Sequence, residues 1–103
     1  MLFRSFDQVD LLVCPTVPMG AFDIEGEWTY EQLRGIELLT LRNTRPFNAL
    51  GLPAISVPCG FTQEGLPVGL QIVGPPGGEA KVLGLARAYQ ARTDWHRRRP
   101  PVG

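Results

Sequence analysis

The first apolar run of the chain predicts a buried β-strand. Residues 9–14 are apolar except for Asp10, and Pro15 follows them directly. A continuous apolar run of this length is typical of a strand that is buried on both faces of a sheet. We expect the strand to end at Pro15, because proline has no N–H to donate to a neighbouring strand.

Two further strands are predicted on either side of a short turn. Residues 54–59 alternate, with Ile55 and Val57 on one face and smaller residues on the other. Residues 68–74 form the third strand, in which Gly69 leaves the second face bare. Because the turn at residues 60–66 is short, we expect these two strands to pair antiparallel.

Helices are predicted between and around these strands. Residues 1–8 have the character of the end of a helix. Thr29 and Gln32 match a capping box that begins a helix running to about residue 42. Two prolines and a glycine exclude a long helix over residues 44–53. Residues 79–92 give the clearest helical pattern, whose apolar stripe consists of Val82, Leu85, Ala86 and Tyr89.

The combined pattern predicts an α/β fold with about three strands and two to three helices. Strands that are apolar on both faces must be covered on both sides, and the chain offers too few elements to do so. We therefore expect residues 1–103 to form part of a larger domain, with a basic tail over residues 94–103.

The composition of the chain limits the classes of molecule that it is expected to bind. The 103 residues carry ten acidic and ten basic side chains, so the chain lacks the excess positive charge that nucleic-acid binding requires. No apolar run approaches the roughly 20 residues of a membrane span, and no export signal is recognisable. Cys14 and Cys59 stand apart from each other and from His96, which favours buried thiols in a reducing compartment. We expect a cytoplasmic protein that contacts neither nucleic acid nor membrane.

The residues near the chain end offer weak candidates for chemistry. His96 follows Asp94, but neither Ser5 nor Ser56 lies in the Gly-x-Ser-x-Gly turn of a hydrolase triad. A surface or partly packed histidine is the simpler interpretation. The three arginines at 97–99 allow a phosphate patch, but a solvated chain end is the simpler interpretation.

Two longer segments resemble a known family. Residues 44–61 (TRPFNALGLPAISVPCGF) and 65–74 (GLPVGLQIVG) resemble the C-terminal part of amidase signature enzymes. Residues 10–16 (DLLVCPT) are similar to the family's strand that ends in Pro-Thr, and the segment from Ala80 to His96 is similar to its last helix and tail. The resemblance covers nearly all of residues 6–99.

The resemblance implies a hydrolase fold of several hundred residues, a large mixed sheet wrapped by helices. It implies amide hydrolysis by a serine nucleophile, a second serine in a cis peptide and a lysine base, without a cofactor. The lysine precedes both serines in the family, whereas here the only lysine, Lys81, follows Ser5 and Ser56. Ser56 falls in a strand that is structural in the family. We therefore expect no catalytic residue in this chain.

The resemblance also implies a contribution to substrate binding. Thr44, Phe47 and Asn48 match the family segment that lines the substrate pocket; packing or turn formation explains them as well. Amidotransferase members of the family hold the amino group of glutamine with an aspartate, at the position that Leu41 occupies here. This difference favours a less polar amide as the substrate.

Three functional hypotheses follow from the sequence. The chain is a C-terminal fragment of an amidase that is inactive alone, one half of a split amidase completed by a partner chain, or a non-catalytic interaction module. A small amide substrate is expected only for the complete enzyme. Because strand edges and apolar faces would lie open, we also expect the isolated chain to self-associate.

Overall fold

The computed structural model describes residues 2–102, which form a three-stranded antiparallel sheet flanked by helices. The strands are β1 (Leu12–Pro15), β2 (Ala54–Phe61) and β3 (Pro67–Val73), in the order β1-β3-β2. The two strands joined by the short turn pair antiparallel, as the sequence predicts. An extra residue, Cys59, forms a bulge between Pro58 and Gly60 of β2.

The helices follow the order expected for an α/β chain. They are α1 (Leu2–Ser5), α2 (Tyr30–Leu41), α3 (Arg45–Leu50) and α4 (Glu79–Arg92), and a 3₁₀ turn (Trp95–Arg97) follows them. The helix end expected over residues 1–8 is the single turn of α1, and residue 1 lies outside the described residues. No helix within residues 2–102 is long and apolar enough to cross a membrane.

Helix α2 begins with the capping box that the sequence predicts. The backbone N–H of Gln32 donates to the Thr29 hydroxyl at 3.2 Å, and the Gln32 side-chain oxygen accepts from the Thr29 N–H at 2.9 Å. These two bonds satisfy donors that a helix start otherwise leaves open. Glu31 in the first turn adds a favourable interaction with the helix dipole.

Helix α3 occupies a segment in which the sequence excluded only a long helix. Pro46 lies in its first turn, where the missing N–H costs no helical hydrogen bond. The helix ends after six residues at Gly51, whose φ of 67° is left-handed and suits glycine. Pro53 then leads into β2.

The core lies between α4 and one face of the sheet. Val82 and Ala86 of α4 pack against Val57 of β2 and Ile72 of β3, and Ile72 is fully buried. The predicted stripe is wrong at one position, because Leu85 is 38% exposed. Val82 and Ala86 lie one turn apart on the buried side, and Leu85 turns away from the sheet.

The prediction that β1 is buried on both faces is wrong for this chain. Its side chains alternate between half-buried and exposed, and Val13 is 58% exposed. The strand pairs only with β3 and lies at the sheet edge, while α4 packs on β2 and β3. Pro15 is the last residue of β1 rather than the residue after it. An edge position tolerates proline because one side of the strand has no neighbour.

The chain is more extended than a complete domain of its size. Its accessible surface is 7784 Å², whereas a compact protein of 11.3 kDa exposes about 5,700 Å². The radius of gyration is 15.7 Å, compared with about 13 Å for a compact chain of this length. Helix α2 contributes to this exposed surface, since none of its residues is buried.

Candidate functional site

The two faces of the sheet differ in what covers them. Ile55, Val57, Leu70 and Ile72 face α4, and we call this the helix-covered face. Alternate residues point the other way: Cys14 of β1, Ser56 of β2, and Gly69 and Gln71 of β3 share the opposite side. This second side, with Thr16 just beyond β1, is called the open face. Its polar side chains make it the candidate functional site.

A pair of hydroxyl groups bridges the open face above Gly69. The Thr16 and Ser56 side-chain oxygens lie 2.6 Å apart, a hydrogen-bond distance, although the residues belong to different strand segments. A Cβ atom at Gly69 would lie 2.7 Å from the Ser56 oxygen and 2.9 Å from the Thr16 oxygen. The close packing expected at Gly69 is therefore present, and the bare backbone is what allows the two hydroxyls to meet.

The side chain of Asn43 ties the turn between α2 and α3 to the sheet. Its amide nitrogen donates to the Pro15 carbonyl at 2.9 Å. The side-chain nitrogen of Gln71 donates to the backbone carbonyl of Asn43 at 2.8 Å. The same nitrogen lies 3.3 Å from the Cys14 sulfur. Gln71 is only 4% exposed, so these contacts satisfy a buried amide donor. We call this set of hydrogen bonds the amide tether.

The loop after β1 arches over the hydroxyl pair and encloses a cavity of about 350 Å³. Phe22 and Trp28 stack edge to face at 6.4 Å, and the Trp28 ring N–H donates to the Asp23 carbonyl at 2.9 Å. These contacts shape the loop from within. Apolar lining with a few hydroxyl groups is typical of small-molecule pockets. The cavity is lined by Thr16, Val17, Met19, Gly20, Ala21, Phe22, Thr40, Ser56, Pro67, Val68 and Gly69.

The residues predicted to bind substrate follow directly after the amide tether. Thr44 precedes α3 and is half-buried; its N–H donates to the Leu41 carbonyl at 3.3 Å. Phe47 is half-buried and Asn48 is exposed, both on α3. The Asn48 N–H donates to the Thr44 carbonyl at 3.1 Å, so the turn that links α2 to α3 is continuous with the helix. The structure places all three in the segment that the tether joins to the sheet, without assigning them a ligand.

The lysine and the serine of the sheet do not form a catalytic pair. Ser56 lies on the open face, whereas Lys81 belongs to α4 on the opposite side of the sheet. The Lys81 amine lies 3.7 Å from an Asp10 carboxylate oxygen, and both side chains are mostly exposed. Ser5 ends the one-turn helix α1. The hydroxyl of Ser56 contacts Thr16, and its structural role stays a prediction.

The sequence interpretation missed the residues of the amide tether. Asn43 carries no motif, and its role depends on a fold that brings residues 15 and 71 together. Gln71 did offer a signal, since it is a single amide within an otherwise apolar strand. A polar residue in a buried strand needs a hydrogen-bonding partner, and the nearest turn supplies one.

Comparison with known proteins identifies the family. The model of the family described as Amidase matches residues 2–83, which is most of the chain. This chain therefore belongs to the amidase family.

Its relatives include components of amidotransferases. The A subunit of the glutamyl-tRNA(Gln) amidotransferase of Synechococcus sp. (strain JA-2-3B'a(2-13)) is 47% identical over 100 residues, which are 97% of this chain and 19% of that protein. The protein of the same name from Myxococcus xanthus (strain DK1622) is 50% identical over 99 residues, 96% of this chain and 20% of its own length. The chain thus spans about a fifth of the length of the curated relatives it matches.

Solved structures share the fold. The A subunit of the glutamyl-tRNA(Gln) amidotransferase of Thermotoga maritima superposes with a TM-score of 0.76 at 36% identity, covering 89% of this chain and 19% of that one. A 6-aminohexanoate cyclic dimer hydrolase superposes with a TM-score of 0.78 at 33% identity, covering 96% of this chain and 23% of that one. The three-stranded sheet and its helices are therefore a recurring part of larger amidase structures.

Proposed function

We propose that this chain supplies one wall of the substrate pocket of an amidase-type hydrolase and is inactive by itself. The observation that carries the proposal is the combination of family membership with the position of the only lysine, on the opposite side of the sheet from Ser56. Amide hydrolysis by a serine requires an adjacent base. A nucleophilic serine, a cis-serine and a lysine must then come from outside these residues, either from a preceding segment of a longer polypeptide or from a partner chain.

The uncovered surfaces support an assembly of this kind. Helix α2 exposes Leu33, Leu38 and Leu39 at 37 to 48%, and Val13 lies bare at the sheet edge. The three leucines lie around the helix rather than on one face, and a helix that is apolar on several sides is typically buried, so their exposure favours a covering surface. On this proposal the chain corresponds to the C-terminal portion of the family, and the catalytic portion covers the open face and α2.

Within that assembly we assign Thr44, Phe47 and Asn48 to the substrate pocket. A shallow cavity of about 230 Å³ lies at the corner between α2 and α3, beside these three residues in sequence, and is lined by Leu38, Leu41, Arg42, Arg45 and Pro46. Leu41 offers no negative charge to hold an amino group, and the two arginines repel one, so a less polar amide without a cationic group fits this surface. The hydroxyl pair and the amide tether hold the surrounding elements in place.

A second candidate is a role in the amidotransferase reaction that the names of the curated relatives describe. Identities of 47% and 50% to two amidotransferase A subunits favour it. The 6-aminohexanoate cyclic dimer hydrolase matches the chain structurally over a larger share, which favours the hydrolase instead. A substrate screen on the assembled enzyme separates the two: turnover of glutamine favours the amidotransferase, and turnover of the 6-aminohexanoate cyclic dimer favours the hydrolase.

The test is reconstitution in trans. The full 103-residue chain is mixed with the 6-aminohexanoate cyclic dimer hydrolase from which the matching segment has been removed, and opening of that hydrolase's own amide substrate is followed. We expect neither polypeptide to turn over alone and the mixture to do so. A chain carrying Val82→Asp, which breaks the core under α4, serves as the matched control and restores nothing.

Two results would overturn the proposal. Turnover by the chain alone that is lost in Ser56→Ala would show that it has its own nucleophile. A stable, monomeric chain that melts sharply and never binds the truncated hydrolase would favour the interaction module.

Self-association of the chain alone is a separate prediction. We expect the chain to self-associate in sedimentation experiments, and we expect Leu38→Glu to reduce that association by placing a charge among the exposed apolar side chains of α2.

The DNA upstream of Met1 distinguishes a truncated gene from a split enzyme. An in-frame segment that encodes a lysine and a Gly/Ser-rich stretch would indicate a truncated gene. A neighbouring gene that carries them would indicate a split enzyme.

A further inference from the structure

A further cavity lies beside the turn between β2 and β3. It holds about 370 Å³ between that turn and the segment after α4. It shares no lining residue with the cavity at the α2–α3 corner, and only Pro67 with the cavity under the loop after β1. We call it the tail cavity.

The tail cavity combines an apolar body with positive charge. Phe61, Leu66 and four prolines line one part, and Trp95, His96, Arg98 and Arg99 line the other. No acidic side chain is among the lining residues. Asp94 approaches Arg98 at 3.7 Å, but their side chains are 68% and 51% exposed, so water screens this pair. The cavity therefore favours an anion.

The guanidinium of Arg98 is held in place by aromatic rings. Its central carbon lies 4.6 Å from the Trp95 ring centre and 5.7 Å from that of Phe61. The two rings contact each other edge to face at 6.0 Å. Cation–π contacts of this kind fix the position of the charge while leaving its N–H groups free to donate. A preorganised cation loses little side-chain freedom when a ligand binds.

We propose that the tail cavity binds a small organic monocarboxylate with an apolar body. The carboxylate faces Arg98 and Arg99, and the apolar body packs against Phe61 and Leu66. This site is separate from the substrate surface of the proposed amidase, and its occupation does not depend on a catalytic portion being present.

The experiment compares an anion with its neutral counterpart on the full chain. Cyclohexanecarboxylate and cyclohexanecarboxamide share an apolar ring and absorb no light near 280 nm. With Trp28→Phe in the background, Trp95 is the only tryptophan, and its fluorescence reports binding directly. We expect saturable binding of the carboxylate and at least about tenfold weaker binding of the amide.

Variants in the tail separate a built site from general attraction. Arg99→Gln removes a lining charge, whereas Arg97→Gln removes the same charge from a residue outside the lining. We expect Arg99→Gln to weaken carboxylate binding by at least threefold and Arg97→Gln to leave it unchanged, with circular dichroism confirming the fold. Equal binding of the two probes, equal loss from both arginine variants, or no saturable binding of the carboxylate would each overturn the proposal. Reconstitution of amidase activity is a different measurement, so the two proposals fail separately.

Discussion

The two faces of the sheet differ in the interactions by which this chain stabilises them. On the helix-covered face, four side chains from α4, β2 and β3 are buried against one another. On the open face, hydrogen bonds join the elements, and α2 buries no residue at all. Apolar burial is the dominant favourable term in folding, so the first side forms a local core, whereas the second is held by hydrogen bonds.

The largest expected difference concerns matched truncations on the two sides. Ile72→Ala removes a fully buried side chain and should cost about 3 kcal/mol of unfolding free energy. Leu38→Ala removes a side chain of α2 that is 48% exposed, and should change stability by less than about 0.5 kcal/mol. Urea unfolding followed by circular dichroism measures both. Similar losses would mean that α2 already packs in the isolated chain.

Two glycine-to-alanine replacements compare a crowded position on the open face with an open position in α2. Gly69→Ala forces a methyl group between two oxygens less than 3 Å away and should cost about 2 kcal/mol. Gly35→Ala in α2 meets nothing within 4 Å, and should stabilise the helix by up to about 1 kcal/mol. Thermal melting gives the sign of each effect. A harmless Gly69→Ala would show that the hydroxyl pair separates freely.

A double-mutant cycle measures the hydroxyl pair itself. Thr16→Val and Ser56→Ala each remove one end of the 2.6 Å contact and should each cost about 1 kcal/mol. The double variant should lose little more than either single one, because the same interaction is removed in every case. Urea midpoints provide the cycle. Fully additive losses would indicate that the two oxygens do not interact in solution.

The smallest effect is expected at Glu64 in the β2–β3 turn. Hydrogen bonds from its backbone and from the Thr62 side chain hold the pKa of this carboxyl below its ordinary value. A lowered pKa means that the folded state favours the charged form, so the contribution is present above the ordinary pKa and is lost as the pH falls through the lowered one. Carboxyl NMR shifts titrated on the wild-type chain and on Thr62→Val measure it. An unchanged pKa in the variant would remove Thr62 as a cause.

Sequence patterns predicted the elements whose signals are local. The capping box at Thr29, the helix over 79–92 and the antiparallel pairing after the turn at 60–66 all depend on neighbouring residues, and all three are found. The apolar run before Pro15 predicted a strand correctly but not its exposure. Whether a strand is covered depends on elements distant in sequence, and here the covering helix α4 packs on β2 and β3 rather than on β1.

The candidate site was less predictable for the same reason. The bare face at Gly69 was visible in the sequence, but the oxygens that fill it come from Thr16 and Ser56, 40 residues apart. The amide tether joins positions 28 residues apart and has no periodic signature. The assignment of Thr44, Phe47 and Asn48 to substrate binding remains a prediction, because it depends on a ligand and a catalytic portion.

The amide tether makes the geometry of the α2–α3 corner sensitive to hydration. In water each of its hydrogen bonds contributes only about 1 kcal/mol, because solvent molecules compete for the same donors and acceptors. When a covering surface expels that water, the same bonds strengthen in the lower dielectric. In the proposed assembly, removal of water from the open face would strengthen the hydrogen bonds that Asn43 makes at the α2–α3 corner. Assembly would then fix the angle at which α2 is held.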